Sequence, residues 1–183
     1  MLKTGIKPDV ITIDGSEGGT GAAPIEFSDS IGMPLKEAMV FVTDFLNGLD
    51  LKKNICVIAS GKIITAFDLI RALALGADLC NSAWGMMFAL GCIQALKCDT
   101  NECPTGITTH DPNLTRGLVV EDKADRMANF QSETVKAAME LLAGIGLDDF
   151  SQLNRSHIHK RVEGETIRTF EDIYPSVKPG AYL

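Results

Sequence analysis

Three short apolar runs, each followed by a turn-forming segment and a helical pattern, organise the first half of the chain. Residues 10–13 read VITI and lead into Asp14, residues 55–59 read ICVIA, and residues 78–81 read DLCN. Runs of this length and composition favour strands. Because strand, short loop and helix in repetition are typical of parallel α/β folds, the chain predicts three consecutive β/α units.

The segments between these runs carry helix start and stop signals. Pro34 suits the first turn of a helix. Its expected polar side carries Lys36, Thr43 and Asn47, and its expected apolar side carries Leu35, Ala38, Phe41, Val42 and Phe45. Thr65 and Asp68 resemble a capping pair for the second helix, which Gly76 ends. The third helix is expected to be apolar and to extend toward Leu96.

The last third of the chain predicts one long amphipathic helix followed by loops and short helices. One side of this helix carries polar residues at helical spacing, namely Asp122, Arg126, Asn129, Glu133, Lys136 and Glu140. The opposite side carries the apolar residues Ala124, Met127, Val135, Ala138 and Leu142. Gly144 is expected to end this helix. We divide the chain into residues 1–118, which hold the β/α units and a cysteine-rich loop, and residues 119–183, a C-terminal helix and extension that pack on them.

Composition and charge narrow the classes of function. The 183 residues include 17 basic and 24 acidic side chains, a net charge of −7, which argues against nucleic acid or anionic membrane as the main partner. Hydrophobic residues make up 45%, which is usual for globular chains. The longest apolar run, residues 83–96, is shorter than the roughly 20 residues of a spanning helix, and the N-terminus has no apolar signal core. We therefore expect a cytoplasmic protein.

Three of the five cysteines form a spacing pattern with candidate metal chemistry. Cys92, Cys98 and Cys103 follow the pattern Cys-x5-Cys-x4-Cys, and loop-forming residues around them would let three thiolates converge. In a reducing compartment such thiols favour metal or redox roles over disulfides. Three interpretations stay open: an iron–sulfur centre, a zinc site completed by His110, and three unrelated buried cysteines.

Each predicted strand leads into a loop that could bind an anion. The first loop is glycine-rich and contains Gly19, and the two later loops contain Ser60, Gly61 and Lys62, and Ser82, Ala83 and Trp84. In parallel α/β folds ligands bind at the carboxyl ends of strands, where consecutive loops can direct backbone N–H groups at one phosphate. The alternative is that the glycines only make tight turns and that Trp84 only packs.

Two ordered segments resemble the FMN-binding domain of the glutamate synthase family. Residues 14–24 read DGSEGGTGAAP and resemble that domain's signature D/S-G-x-x-G-G-T-G-A-x-P. Residues 89–107 contain ALGCI, KC and NECPTGI, which look like the family's cluster motif, and an Asp-Pro pair follows at the family's place. The likeness runs from about residue 7 to about residue 118, and the tail resembles a shorter branch without the glutaminase domain.

The resemblance implies the C-terminal portion of a (β/α)8 TIM barrel that carries FMN and a [3Fe-4S] cluster. It implies that Cys92, Cys98 and Cys103 bind the cluster and that the loop with Gly19 lines the substrate and flavin side. The implied FMN phosphate site is formed by the strand-end residues Ser60, Gly61, Lys62, Ser82, Ala83 and Trp84. The family's reaction reduces 2-iminoglutarate, formed from 2-oxoglutarate and ammonia or glutamine nitrogen, to L-glutamate.

The length sets a further expectation, because a complete (β/α)8 barrel takes about 250 residues. Three units correspond to the last three of the family's barrel, so we expect Met1 to be an internal methionine of a longer ancestral chain. Open sheet edges would then invite a missing N-terminal barrel portion or a second copy of the chain.

Two functions are compatible with these features. One is a glutamate synthase-like oxidoreductase that is incomplete on its own and receives electrons from an unidentified donor, which could be a protein. The other is a non-catalytic iron–sulfur electron-transfer or barrel-completing module that needs a partner chain. No general acid or base is assigned.

Overall fold

The computed structural model describes residues 1–17, 23–24, 26–27 and 30–183. Its main sheet has three strands, β1 (Val10–Asp14), β2 (Cys56–Ser60) and β3 (Leu79–Asn81). They pair in parallel in the order β1-β2-β3. The predicted parallel α/β arrangement is confirmed, while the described residues form no closed barrel.

Helices alternate with these strands and continue after them. They are α1 (Leu35–Gly48), α2 (Ala66–Ala74), α3 (Ala83–Leu90), α4 (Pro112–Thr115), α5 (Val120–Ile145) and α6 (Phe170–Ile173). Short 3-10 turns span Lys52–Asn54, Phe150–Gln152 and Arg155–His157, and a small antiparallel pair is formed by β4 (His159–Arg161) and β5 (Ile167–Thr169). Among the residues that the structure describes, no helix is long and apolar enough to cross a membrane.

The hydrophobic core lies on one face of the parallel sheet. Val57 and Ala59 are fully buried there, in one cluster with Met39 of α1. Successive strand residues point to opposite faces, and on the other face Val10 is 49% and Leu79 is 56% exposed. Parallel sheets normally have both faces covered, so the described residues form a layer that is open on one side.

Helix α1 turns only part of its predicted apolar side toward the core, where Leu35 and Ala38 are buried as expected. Thr43, expected on the polar side, is 2% exposed, whereas Phe41 and Phe45, expected on the apolar side, are 63% and 47% exposed. The Thr43 hydroxyl donates to the carbonyls of Met39 at 2.6 Å and Leu75 at 3.1 Å, so its burial leaves no polar group unpaired. The prediction was wrong for Thr43 because it treated a threonine with backbone acceptors as a solvent-facing residue.

The ends of α2 and α3 show one confirmed and one failed prediction. Thr65 and Asp68 form the expected capping box at the start of α2. In contrast, α3 ends at Leu90 instead of extending toward Leu96. Gly91 adopts a left-handed conformation with φ of 103°, which closes the last helical turn.

The long helix α5 packs across α2 and α3. Ala138 and Leu142 are buried on its packed side, as the apolar stripe predicted, whereas Val135 is 40% exposed. Gly144 lies inside the helix, and the left-handed residue after its end is Gly146. The helix therefore continues past the predicted end at Gly144 and ends at Ile145.

A buried ion pair fixes the C-terminal segment to α1. Arg155 is 4% exposed, and its guanidinium donates to the two carboxylate oxygens of Asp44 at 2.7 and 3.1 Å. It also donates to the carbonyl of Tyr174 at 2.9 Å and to the hydroxyl of Thr43 at 3.2 Å. These bonds connect α1, the turn at Arg155 and the end of α6, which are far apart in the sequence.

We expect Arg155→Met to lower the free energy of unfolding by about 3–5 kcal/mol, because it leaves the largely buried Asp44 carboxylate unpaired. The matched control is Arg71→Met, which breaks a pair with Asp68 in which the arginine side chain is 42% exposed. Such a surface pair contributes about 0–1 kcal/mol. Urea denaturation of both variants measures the difference, and equal small losses would contradict the assigned role of Arg155.

Candidate functional site

The three parallel strands end at the same edge of the sheet. Asp14 pairs in register with Ser60, and Ser60 pairs with Asn81. The Gly15 N–H continues the ladder by donating to the Ser60 carbonyl at 2.8 Å. The loops that follow the strands therefore begin side by side, at the position where parallel α/β folds bind ligands.

A cavity of about 590 Å³ lies at this edge, within the size range of small-molecule and cofactor sites. Its walls include most of the residues that the sequence analysis singled out, namely Ser60, Gly61, Lys62, Ala83, Trp84, Cys92, Cys98 and Cys103. Ser82 is not among the lining residues, and Gly19 lies outside the residues that the structure describes. Two strand-end loops and the cysteine segment thus face one space.

The two strand-end loops are joined by a hydrogen bond. The Ser82 hydroxyl donates to the Ile63 carbonyl at 2.7 Å, so Ser82 positions the loop after β2 instead of lining the cavity. Ser82 is also the N-cap residue of α3 and makes no side-chain cap bond. The first N–H groups of α3, from Ala83 and Trp84, therefore have the partial positive charge that suits an anion. Gly61 has a φ of 147°, which side-chain-bearing residues rarely adopt.

Trp84 has both a packing contact and a place on the cavity wall. Its ring lies 5.7 Å from the ring of Phe88, measured between centroids, and it also lines the cavity. The two interpretations from the sequence are therefore compatible.

The three cysteines border one cavity without forming a ready-made metal site. In the described part of the chain, no group of three or more His, Cys, Asp or Glu side chains has the arrangement of a metal site. The thiols of Cys92, Cys98 and Cys103 are free and line the same cavity. The donor set, three soft sulfur ligands that border the same cavity, fits a cluster chemically. His110 is exposed and does not line the cavity, so the structure does not bring it to these thiols.

Hydrogen-bond donors lie next to the sulfurs of Cys92 and Cys103. Burial raises the pKa of the Cys103 thiol, but hydrogen bonds from Thr105 and from the backbone of Thr108 outweigh burial and lower the pKa to about 6. The Thr105 hydroxyl oxygen lies 3.3 Å from the Cys103 sulfur, and the Gln94 N–H donates to the Cys92 sulfur at 3.5 Å. Because the thiolate is the form that binds metal, these donors favour a metal-binding role for the loop.

Several residues on the cavity wall were not predicted as site residues, among them Asn81, Met87, Thr105 and Thr108. Asn81 could have been found, because it ends a predicted strand beside Ser60. Thr108 had no comparable signal. Its hydroxyl oxygen is buried and has no hydrogen-bond partner of normal geometry among the described residues, which only the folded loop shows.

Comparisons with known proteins agree with the motifs. Residues 2–148 match the family model described as a conserved region in glutamate synthase. The chain is 41% identical over 173 residues to the glutamate synthase large subunit-like protein YerD of Bacillus subtilis, covering 94% of this chain and 33% of that protein. It is 39% identical over 145 residues to the archaeal glutamate synthase (NADPH) of Methanocaldococcus jannaschii, covering 79% of this chain and 28% of that protein.

Among solved structures, a flavocytochrome b2 variant with sulfite bound matches with a TM-score of 0.47 and 17% identity, over 84% of this chain and 36% of that chain. That similarity is too low to establish a shared fold. The chain spans about a third of the length of the curated relatives named above. Since the family model covers most of its length, the chain belongs to the glutamate synthase family.

Proposed function

We propose that this chain contributes the cofactor-holding part of a glutamate synthase-like oxidoreductase that uses FMN and a [3Fe-4S] cluster. The reaction would be the reductive formation of L-glutamate from 2-oxoglutarate and ammonia or glutamine nitrogen. The observation that carries the proposal is the single cavity bordered by two strand-end loops and three thiols. Family membership independently favours an oxidoreductase of this class.

The strand-end loops would hold the FMN phosphate. Backbone N–H groups of Gly61, Lys62, Ala83 and Trp84 are the proposed donors, because they belong to adjacent loops at the carboxyl edge of the sheet. Trp84 would also limit the width of the cavity beside a flat ring. When bound there, FMN supplies hydride transfer and the cluster supplies single electrons.

The thiols of Cys92, Cys98 and Cys103 would hold the cluster. A thiol with a lowered pKa loses its proton more readily, so the donors around Cys103 reduce the competition between protons and metal. Chelation would also fix the loop between α3 and α4, where Gln94, Leu96 and Asn101 have positive φ values.

The remaining partners follow from the open face of the sheet. Exposed Val10 and Leu79 lie on the face that no described helix covers, and the relatives are about three times as long as the matched part. We propose that further β/α units, or a second copy of this chain, cover this face. Those elements would complete the site for a 2-oxoglutarate-like substrate, and an electron-donor protein is a further candidate partner.

Anaerobic reconstitution with iron, sulfide and FMN tests the proposal. We expect the wild-type chain to gain broad visible iron–sulfur absorption and the paramagnetic resonance signal of a three-iron cluster. Cys98→Ser should lose bound iron while its helical circular dichroism stays unchanged, because the thiol lines the cavity and belongs to no helix or strand. The matched control is Cys56→Ser, whose half-buried thiol lies at the opposite end of β2.

The outcomes separate the candidates. Absence of iron–sulfur absorption in the wild-type chain would contradict the cluster. Stoichiometric zinc in material prepared without oxygen would favour a structural metal site instead. A cluster-loaded chain that binds no FMN would favour the non-catalytic electron-transfer module.

The pKa of Cys103 gives a separate prediction for the metal-free chain. Alkylation of this thiol should follow a titration centred near pH 6, since it is protonated and slow below that pH and a reactive thiolate above it. Thr105→Val should move the titration to higher pH by removing one donor. Burial raises the pKa of Cys80 to about 11, so that thiol should stay slow throughout and serves as an internal control.

Peptide-resolved mass spectrometry after brief exposure to iodoacetamide measures both thiols in one sample. A Cys103 titration centred near the ordinary thiol value of about 8.5 would show that the threonine donors do not act on this sulfur.

A further inference from the structure

We propose that the hydroxyl groups of Thr105 and Thr108 donate hydrogen bonds to the sulfur atoms of the metal centre held by Cys92, Cys98 and Cys103, and thereby raise its reduction potential. The inference rests on the cluster of the proposed function and adds two residues that set its electronic properties.

Thr105 is already in contact with one of the sulfurs. Its hydroxyl oxygen lies 3.3 Å from the sulfur of Cys103, and both residues line the cavity. In the free thiol either atom could donate. Once Cys103 is a metal-bound thiolate it carries no proton, so the hydroxyl of Thr105 must be the donor.

Thr108 supplies an independent observation. Its hydroxyl oxygen is buried and has no hydrogen-bond partner of normal geometry among the described residues, although the residue lines the same cavity as the three cysteines. Buried hydroxyls are nearly always paired, and an unpaired one is a cost to the folded state. A ligand with acceptor atoms in the cavity would remove that cost, and thiolate or inorganic sulfide atoms are such acceptors.

The physical effect of these bonds has a definite sign. A donor aimed at sulfur stabilises negative charge, and the reduced form of the centre carries one more negative charge than the oxidised form. The hydroxyls therefore stabilise the reduced form more and raise the potential. Removing either hydroxyl should shift the potential to a more negative value.

A purely structural role for Thr108 predicts something else. In the metal-free chain, Thr108→Val removes an unpaired buried hydroxyl and keeps a side chain of similar shape, so stability should stay equal or rise. A lowered reduction potential combined with unimpaired stability of the metal-free chain is therefore a signature that a structural role would not give.

The experiment uses the full chain, reconstituted anaerobically with iron and sulfide and titrated by redox potential under paramagnetic resonance. Thr105→Val and Thr108→Val should each have a more negative midpoint than wild type, and Thr105→Ser should restore it because it keeps the hydroxyl. The matched control is Thr100→Val, whose hydroxyl donates to the Lys97 carbonyl at 3.1 Å and does not line the cavity. Its midpoint should equal that of wild type.

The outcomes distinguish failure of this inference from failure of the proposed cluster. Equal midpoints in wild type, Thr105→Val and Thr108→Val would overturn this inference and leave the cluster in place. A shift of the same size in Thr100→Val would also overturn it, since the cause would then be a general change in the loop. A wild-type chain that takes up no iron and sulfide would instead overturn the proposed cluster, and this inference with it.

Discussion

The parallel register of three strands is the constraint on which the rest of the structure depends. It places Asp14, Ser60 and Asn81 side by side, so that the end of β1 and the loops after β2 and β3 border one cavity. The same register puts Val57 and Ala59 on the buried face. A slip of one residue would expose both and turn the strand-end side chains away from the cavity. Core packing and site assembly are therefore set by the same pairing.

In the described part of the chain, the sheet is stabilised from one side only. Helices α1 and α2 cover the core face, and the Arg155–Asp44 pair holds the C-terminal segment against α1. The opposite face keeps apolar residues in contact with solvent. Together with relatives that extend well beyond the matched part, this asymmetry supports a layer that is covered by further β/α units or by another copy.

The sequence predicted what local rules determine and failed where tertiary contacts decide. The positions of the strands and the Thr65–Asp68 cap follow from short sequence patterns. The rule that ligands bind at the carboxyl ends of parallel strands pointed to the loops after β2 and β3, and both of these loops border the cavity. The burial of Leu35 and Ala38 on α1 follows from the apolar pattern, but the burial of Thr43 does not. It depends on the Leu75 carbonyl and on Arg155, which lies more than a hundred positions away. The unpaired hydroxyl of Thr108 likewise exists only in the folded loop.

The most direct measurement is a nuclear magnetic resonance titration of the isotopically labelled chain with FMN. If the carboxyl edge of the sheet is the cofactor site, the largest amide shifts should fall at residues 60–62 and 82–84, and they should be small at the amino ends of the strands around Asp9 and Ile55. Shifts concentrated at those amino ends, or the absence of saturable shifts at the two loops, would contradict the proposed site.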